Sequence, residues 1–226
     1  LQDVDDHRTA IGSYKEAIKL NPNYVDAHYN LGIALFETRD LVGAISAFKK
    51  TIEINSSFFR AFNNLGTALK DKGEINAAIS SYQEAIKLNP NFTEAHNNLG
   101  IASQEKEDIQ TAIISFKEAI RLNSNFPDAH WNLSLAQLSI EDYKNGLENY
   151  EWRLKKNDSV IHAHPNLPQW DKGLKERPEK LLVVSEQGLG DTIQFMRYIP
   201  YLQKLGIDVT FCAQQKLHSL IKSSGI

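Results

Sequence analysis

Apolar residues recur at helical spacing through about the first two-thirds of the chain, in paired runs separated by short polar breaks. Ala61, Leu65, Ala68 and Leu69 form one run, and Ala78, Ile79, Tyr82 and Ile86 the next. Steps of three and four residues gather such side chains on one helical face, so each pair of runs predicts two packed helices. The pairs repeat every 34 residues: Leu31, Leu65, Leu99 and Leu133 share one position. Gly32, Gly66, Gly100 and Ser134 follow them, then Ala44, Ala78, Ala112 and Gly146, then Phe48, Tyr82, Phe116 and Tyr150. Ala10 and Tyr14 carry the last two series one period back. The small residues belong where the two helices approach most closely, and the aromatic fills the space between layers. Pro22 and Pro90 follow Asn21 and Asn89, where helix is disfavoured, and end the second helix of their repeats.

A 34-residue period with small and large residues in this order resembles the tetratricopeptide repeat, over about residues 1–154. The fold class that follows is mainly α: a right-handed solenoid of half a repeat and four repeats at 25–58, 59–92, 93–126 and 127–154. Stacked repeats bury a continuous core that no single repeat could. Leu1 falls at the eleventh repeat position, within a first helix, so further sequence upstream is expected. The fourth repeat drifts, with Arg153 where Ala17, Ala85 and Ala119 stand elsewhere.

The inner groove of such a solenoid is lined by its first helices, and its sixth repeat position is Asn30, Asn64, Asn98 and Asn132. An asparagine ladder offers donors and acceptors able to pair with both C=O and N–H of an extended polypeptide, the expected partner. It resembles the groove of the O-linked N-acetylglucosamine transferases, where such residues grip peptide backbone without reading sequence. The alternative is that asparagine is a common choice at this position and faces solvent without a dedicated ligand. Asp26, Arg60, Glu94 and Asp128 at the second position, with Glu37, Asp71 and Glu105 at the thirteenth, make the groove largely acidic. A neutral or basic segment therefore fits better than an acidic tail.

Composition narrows the field. A net charge of −3 supplies no basic stripe for nucleic acid or anionic lipid. No apolar run is long enough to span a bilayer, and the single Cys212 fits a reducing, cytoplasmic setting without an internal disulfide. His28, His96 and His130 share the fourth repeat position and read as packing residues, not metal ligands. His162 and His164 lie in an irregular stretch, and no metal site is expected.

Beyond residue 154 the register is lost. Residues 155–180 contain Pro165, Pro168, Trp170 and Pro178 and read as a linker. Residues 181–226 then read as strand (181–185), Gly188-Leu-Gly190-Asp191 turn, helix (192 to about 205) and strand (208–212), followed by another helical stretch. That order is a βαβ unit. The string from Ser185 to Pro200, with Tyr150-Glu-Trp-Arg153 and Pro168-Gln-Trp170 before it, resembles the opening of heptosyltransferase-like glycosyltransferases of the GT-B type. The version it resembles is the one attached to bacterial tetratricopeptide proteins. The resemblance implies a ligand loop of Gln187, Gly188 and Gly190, with Asp191 as general base for an acceptor hydroxyl. It also implies a nucleotide-sugar donor for the intact protein, held mainly by a second Rossmann domain. Asp191 as the cap of the following helix is a reading compatible with that role. Residues 1–226 alone are expected to show no glycosyl transfer. A non-enzymatic scaffold, with the βαβ piece as a structural cap, is the other function class.

Overall fold

The computed structural model describes residues 2–155, 178–184, 196, 198–212 and 215–224. The chain forms two compact units, Leu1–Lys156 and Asn157–Ile226. The first is helical throughout. After α1 (Gln2–Leu20) come α2 (Val25–Glu37) and α3 (Leu41–Ile54), α4 (Phe59–Asp71) and α5 (Ile75–Leu88), α6 (Thr93–Glu105) and α7 (Ile109–Leu122), and α8 (Pro127–Ser139) and α9 (Tyr143–Tyr150). A 3-10 turn, Glu151–Lys155, follows α9. By the repeat register a turn would fall near residues 4–6. Instead α1 is continuous from Gln2 to Leu20.

Each helix pair closes around a ring seated on a glycine. A Cβ added to Gly32 would lie 2.5 Å from the Phe48 ring, and one on Gly66 or Gly100 would meet Tyr82 or Phe116 at 2.6 and 2.5 Å. These three rings are 0–1% exposed, and Ala44, Ala78 and Ala112, four residues before them, are fully buried. The fourth repeat has Ser134 at the seat, and its Tyr150 is only half-buried. There Tyr150 leans on Trp131, with ring centroids 5.0 Å apart, and the Arg153 guanidinium lies 4.7 Å from the centre of the Tyr150 ring.

Polar side chains shape the turns. Between the helices of a pair, Arg39, Gly73, Glu107 and Glu141 adopt left-handed φ of 64–88°, the usual way to close a helix C-terminus. Asp40, Asp108 and Asp142 then cap the second helix by accepting from the N–H of Gly43, Thr111 and Asn145. Glu74 at the equivalent place makes no such cap, and its carboxylate accepts from Lys72 at 2.7 Å. Between repeats, Asn21, Asn55, Asn89 and Asn123 each accept from the N–H two residues on, at 3.1–3.2 Å. Only two of these are followed by proline, so the asparagine makes the turn and the proline is an accessory.

The second unit holds two parallel strands, β1 (Lys180–Val184) and β2 (Asp208–Cys212), in register Lys180 to Asp208 through Val184 to Cys212. Helix α10 (Ile199–Lys204) lies between them in sequence, and a 3-10 turn, Gln215–Leu217, leads into α11 (His218–Ser224). Met196, Ile199, Ile207 and Leu217 are its buried apolar residues among those described. The sheet is a minor α/β segment of a mainly helical chain.

Gly100→Ala is expected to destabilise the protein by about 1–3 kcal/mol, because the buried ring it strikes cannot move away freely. Gly12→Ala, on an exposed stretch of α1 with nothing within 4 Å, is expected to stabilise by about 0.5–1 kcal/mol. Urea denaturation of the two variants checks the contrast.

Candidate peptide-binding groove

The first helices touch one another in succession, α2 with α4, α4 with α6 and α6 with α8, whereas the second helices do not approach to that degree. The first helices therefore form the inner wall. Asn64, Asn98 and Asn132 lie on it, half-buried, and each spends an amide N–H on the preceding repeat. Asn64 Nδ2 donates to Tyr29 Oη at 3.1 Å, Asn98 Nδ2 to Asn63 Oδ1 at 3.0 Å, and Asn132 Nδ2 to Asn97 Oδ1 at 3.1 Å. Asn63 and Asn97 are 7% and 6% exposed, so these bonds satisfy side chains withdrawn from water. Asn63 Nδ2 also donates to Asn64 Oδ1 at 3.2 Å. The fifth-position partners carry no signal when the sixth position is read as a single column, and the asparagine doublets 63–64 and 97–98 were the clue.

The ladder thus joins the repeats and is not wholly consumed by doing so. An amide has two N–H donors and an oxygen with two lone pairs. For Asn98 and Asn132, one N–H and the oxygen have no protein partner among the described residues. Asn30, also half-buried, makes no side-chain hydrogen bond among them.

Charge on this wall is less uniformly acidic than its column of carboxylates suggests. Lys70 Nζ lies 3.1 Å from Asp71 and 3.7 Å from Glu105, and Arg39 lies 3.7 Å from Asp71. Glu37 has no basic partner among the described residues. Burial raises the Tyr29 phenol above its usual range, partly offset by Arg60 and the bond from Asn64. Burial likewise pushes the Tyr82 phenol up to about 12, so it stays protonated and donates to Thr67 at 3.2 Å.

The position-four histidines are hydrogen-bonded as well as packed. His28 and His96 donate through Nε2 to the carbonyls of Pro22 and Pro90 at 2.9 Å, and His130 to that of Ser124 at 3.2 Å. His130 also stacks on Trp152 with centroids 3.8 Å apart. No group of three or more His, Cys, Asp or Glu is placed to hold a metal among the described residues. His162, His164, Gln187, Gly188, Gly190 and Asp191 lie outside the described residues, as does residue 192, where the expected helix begins.

A recess of about 180 Å³ opens between α2 and α4, bounded by Ile33, Phe36, Glu37, Phe48, Asn64 and Thr67. A larger cleft of about 710 Å³ lies between the second helices α5 and α7, walled by Ile86, Leu99 and Ile114. Of its cations, Lys87 and Arg121 are paired with Glu84 and Glu118 at 3.1 and 2.7 Å, and Lys117 has no carboxylate partner among the described residues; the cleft lies away from the amide ladder.

Helix pairs in a 34-residue step, ring seats and an inner amide ladder define an α-solenoid built to present one continuous wall. The repeats are tetratricopeptide repeats. The TPR repeat model matches residues 6–38 and 66–107, and a second tetratricopeptide-repeat model matches 93–126. No curated protein matches the chain. Among solved structures, one of MamA is 25% identical, covering 68% of this chain and 90% of its own with a TM-score of 0.63. PilF of Pseudomonas aeruginosa is 22% identical over 66% of this chain and 68% of its own, TM-score 0.61. YrrB, described as a TPR protein with an unusual peptide-binding site, is 22% identical over 69% of this chain and 80% of its own, TM-score 0.57. No helix among the described residues is long and apolar enough to cross a membrane.

Asn98→Ala is expected to cost about 1–2 kcal/mol, since it leaves the buried Asn63 oxygen without its donor. A double-mutant cycle of Asn63→Ala and Asn98→Ala, read by urea denaturation, should return a coupling of about 0.5–1.5 kcal/mol. Additive effects would mean that the two amides do not depend on one another.

Proposed function

We propose that the solenoid is a protein-binding scaffold that holds an extended, neutral-to-basic polypeptide along its inner wall. The observation that carries this reading is the amide ladder: Asn98 and Asn132 are oriented by their inter-repeat bonds and keep donor and acceptor capacity toward the groove. An extended chain presents N–H and C=O groups at regular intervals, which such amides can pair without reading side chains. Glu37 and the second-position carboxylates Asp26 and Glu94 favour a cationic partner over an anionic one. The exposed free thiol of Cys212 suits a reducing compartment such as the cytoplasm.

Titration of unstructured peptides by fluorescence anisotropy tests the scaffold. Asn98→Ala with Asn132→Ala is expected to weaken binding by about 1–3 kcal/mol, roughly 5- to 150-fold, at a temperature where the variant stays folded. Unchanged affinity would leave the ladder with a role between repeats alone.

A second reading is that the solenoid presents its polypeptide, or a glycan acceptor, to a GT-B glycosyltransferase domain. The parallel register of β1 and β2 favours it, because parallel neighbours require a crossover connection of the kind found in Rossmann-like units. Under this reading Asp191 is the general base, and Gln187, Gly188 and Gly190 let backbone approach the ligand beside it. The full-length protein would then consume a nucleotide sugar. Asp191→Asn would lower that turnover at least a hundredfold, within the usual range of roughly 10²–10⁴ for a lost general base. Turnover by the variant equal to the wild type would remove Asp191 from the chemistry.

A further inference from the structure

We infer that the recess between α2 and α4 is a side-chain pocket that selects an apolar residue with Lys or Arg close by in the bound polypeptide. This rests on the groove reading above and adds selectivity and register to it. The floor and walls of the recess are the buried Phe48 ring, the half-buried Ile33 and Phe36, and Thr67. Its volume of about 180 Å³ suits one aliphatic or aromatic side chain and falls below the roughly 300–1,000 Å³ of a small-molecule site. Asn64 belongs to both the recess and the ladder, so a backbone held by the ladder passes its mouth. There the Tyr29 hydroxyl and Asn63 amide fix the Asn64 side chain by a bond to each end.

Charge supplies the second half of the preference. Glu37 stands at the edge of the recess and has no basic partner among the described residues, whereas Asp71 and Glu105 share Lys70. Glu37 is therefore the unpaired carboxylate beside the apolar pocket, while the charge of Arg60 on the same wall acts at Tyr29. One repeat further on, Ile33 and Phe36 are replaced by Thr67 and Lys70, and Glu37 by the already paired Asp71. The corresponding place there is polar and carries a cation. A repeated ladder cannot by itself fix where along the groove a peptide sits. One apolar pocket next to one free carboxylate can. Residues two apart in an extended chain share a face, so the cation is expected within two residues of the apolar side chain.

The test is a positional-scanning library of acetylated, amidated decapeptides on the whole protein, with Ile33→Trp to fill the recess and Glu37→Gln to remove its charge. Wild type should favour Leu, Ile, Met or Phe over Ala at one position by roughly ten- to hundredfold. Lys or Arg should be enriched within two residues of it. Ile33→Trp should abolish the apolar preference while peptides with Ala at that position still bind. Glu37→Gln, an exposed change that leaves the core untouched, should weaken only the basic preference, by roughly two- to fivefold. Peptides that bind without either preference, or preferences that both variants leave intact, would overturn the pocket while the groove reading stands. No binding by any peptide would overturn both.

Discussion

The close seat of a ring on a glycine is the contact on which the solenoid depends. In three successive repeats the aromatic of the second helix lies where a Cβ on the first would stand. This brings the helices near enough for Ala44, Ala78 and Ala112 to be fully enclosed. A glycine inside a helix costs about 1 kcal/mol against alanine, and the buried ring it admits offsets that cost by about 1.5–3 kcal/mol. Where Ser134 takes the seat, its hydroxyl donates to the Trp131 carbonyl at 2.7 Å and the Tyr150 ring is no longer enclosed. The last repeat then relies on softer contacts, Trp131 against Tyr150 and Arg153 near the same ring. Its second helix is also shorter, eight residues against fourteen in the others.

Apolar burial holds each pair together but does not choose the register between pairs, because it is non-directional. Directional bonds supply that choice. The amides of Asn64, Asn98 and Asn132 reach back one repeat, and the histidines at position four reach the carbonyls of the turn before them. Buried Asn63 and Asn97 would be costly if unpaired, so a slipped stacking is penalised where the native one is satisfied. Asn98 and Asn132 keep a donor and an acceptor beyond these bonds. Under the proposed groove reading, stability and affinity would draw on one set of side chains, which is why the two need separate measurement.

The helical unit was legible because its period is long, faithful and tied to residue size. The turns were partly legible: Asn21-Pro22 and Asn89-Pro90 drew notice to the proline, although Asn55 and Asn123 form the same turn without one. The inter-repeat bonds were not legible from columns. They run diagonally, from Asn98 to Asn63 and from Asn132 to Asn97, and depend on how far one repeat is rotated over the next. The histidines read as packing residues for a related reason, since their acceptors are carbonyls, which leave no trace in sequence. Lys70 was hidden in the same way, as one cation in a variable column that changes the charge of two carboxylates. In the second unit, both strands could be read from their apolar runs. Gln187, Gly188, Gly190 and Asp191 rest on sequence resemblance alone.

Under the proposed groove reading, repetition and variation would divide the work. Positions that recur, such as Asn98 and Asn132, would grip any backbone, each pair adding about 0.5–1.5 kcal/mol. Such a ladder binds in every register equally well, and equal states carry no selectivity however many there are. A position that breaks the pattern has the opposite property. Ile33 and Phe36 give way to Thr67 and Lys70 one repeat later, so an apolar side chain gains in one register and not in the next. Full burial of such a side chain is worth about 1.5–3 kcal/mol, comparable to two or more amide pairs. On that reading, one irregular recess would set the alignment of a partner that the regular ladder only retains.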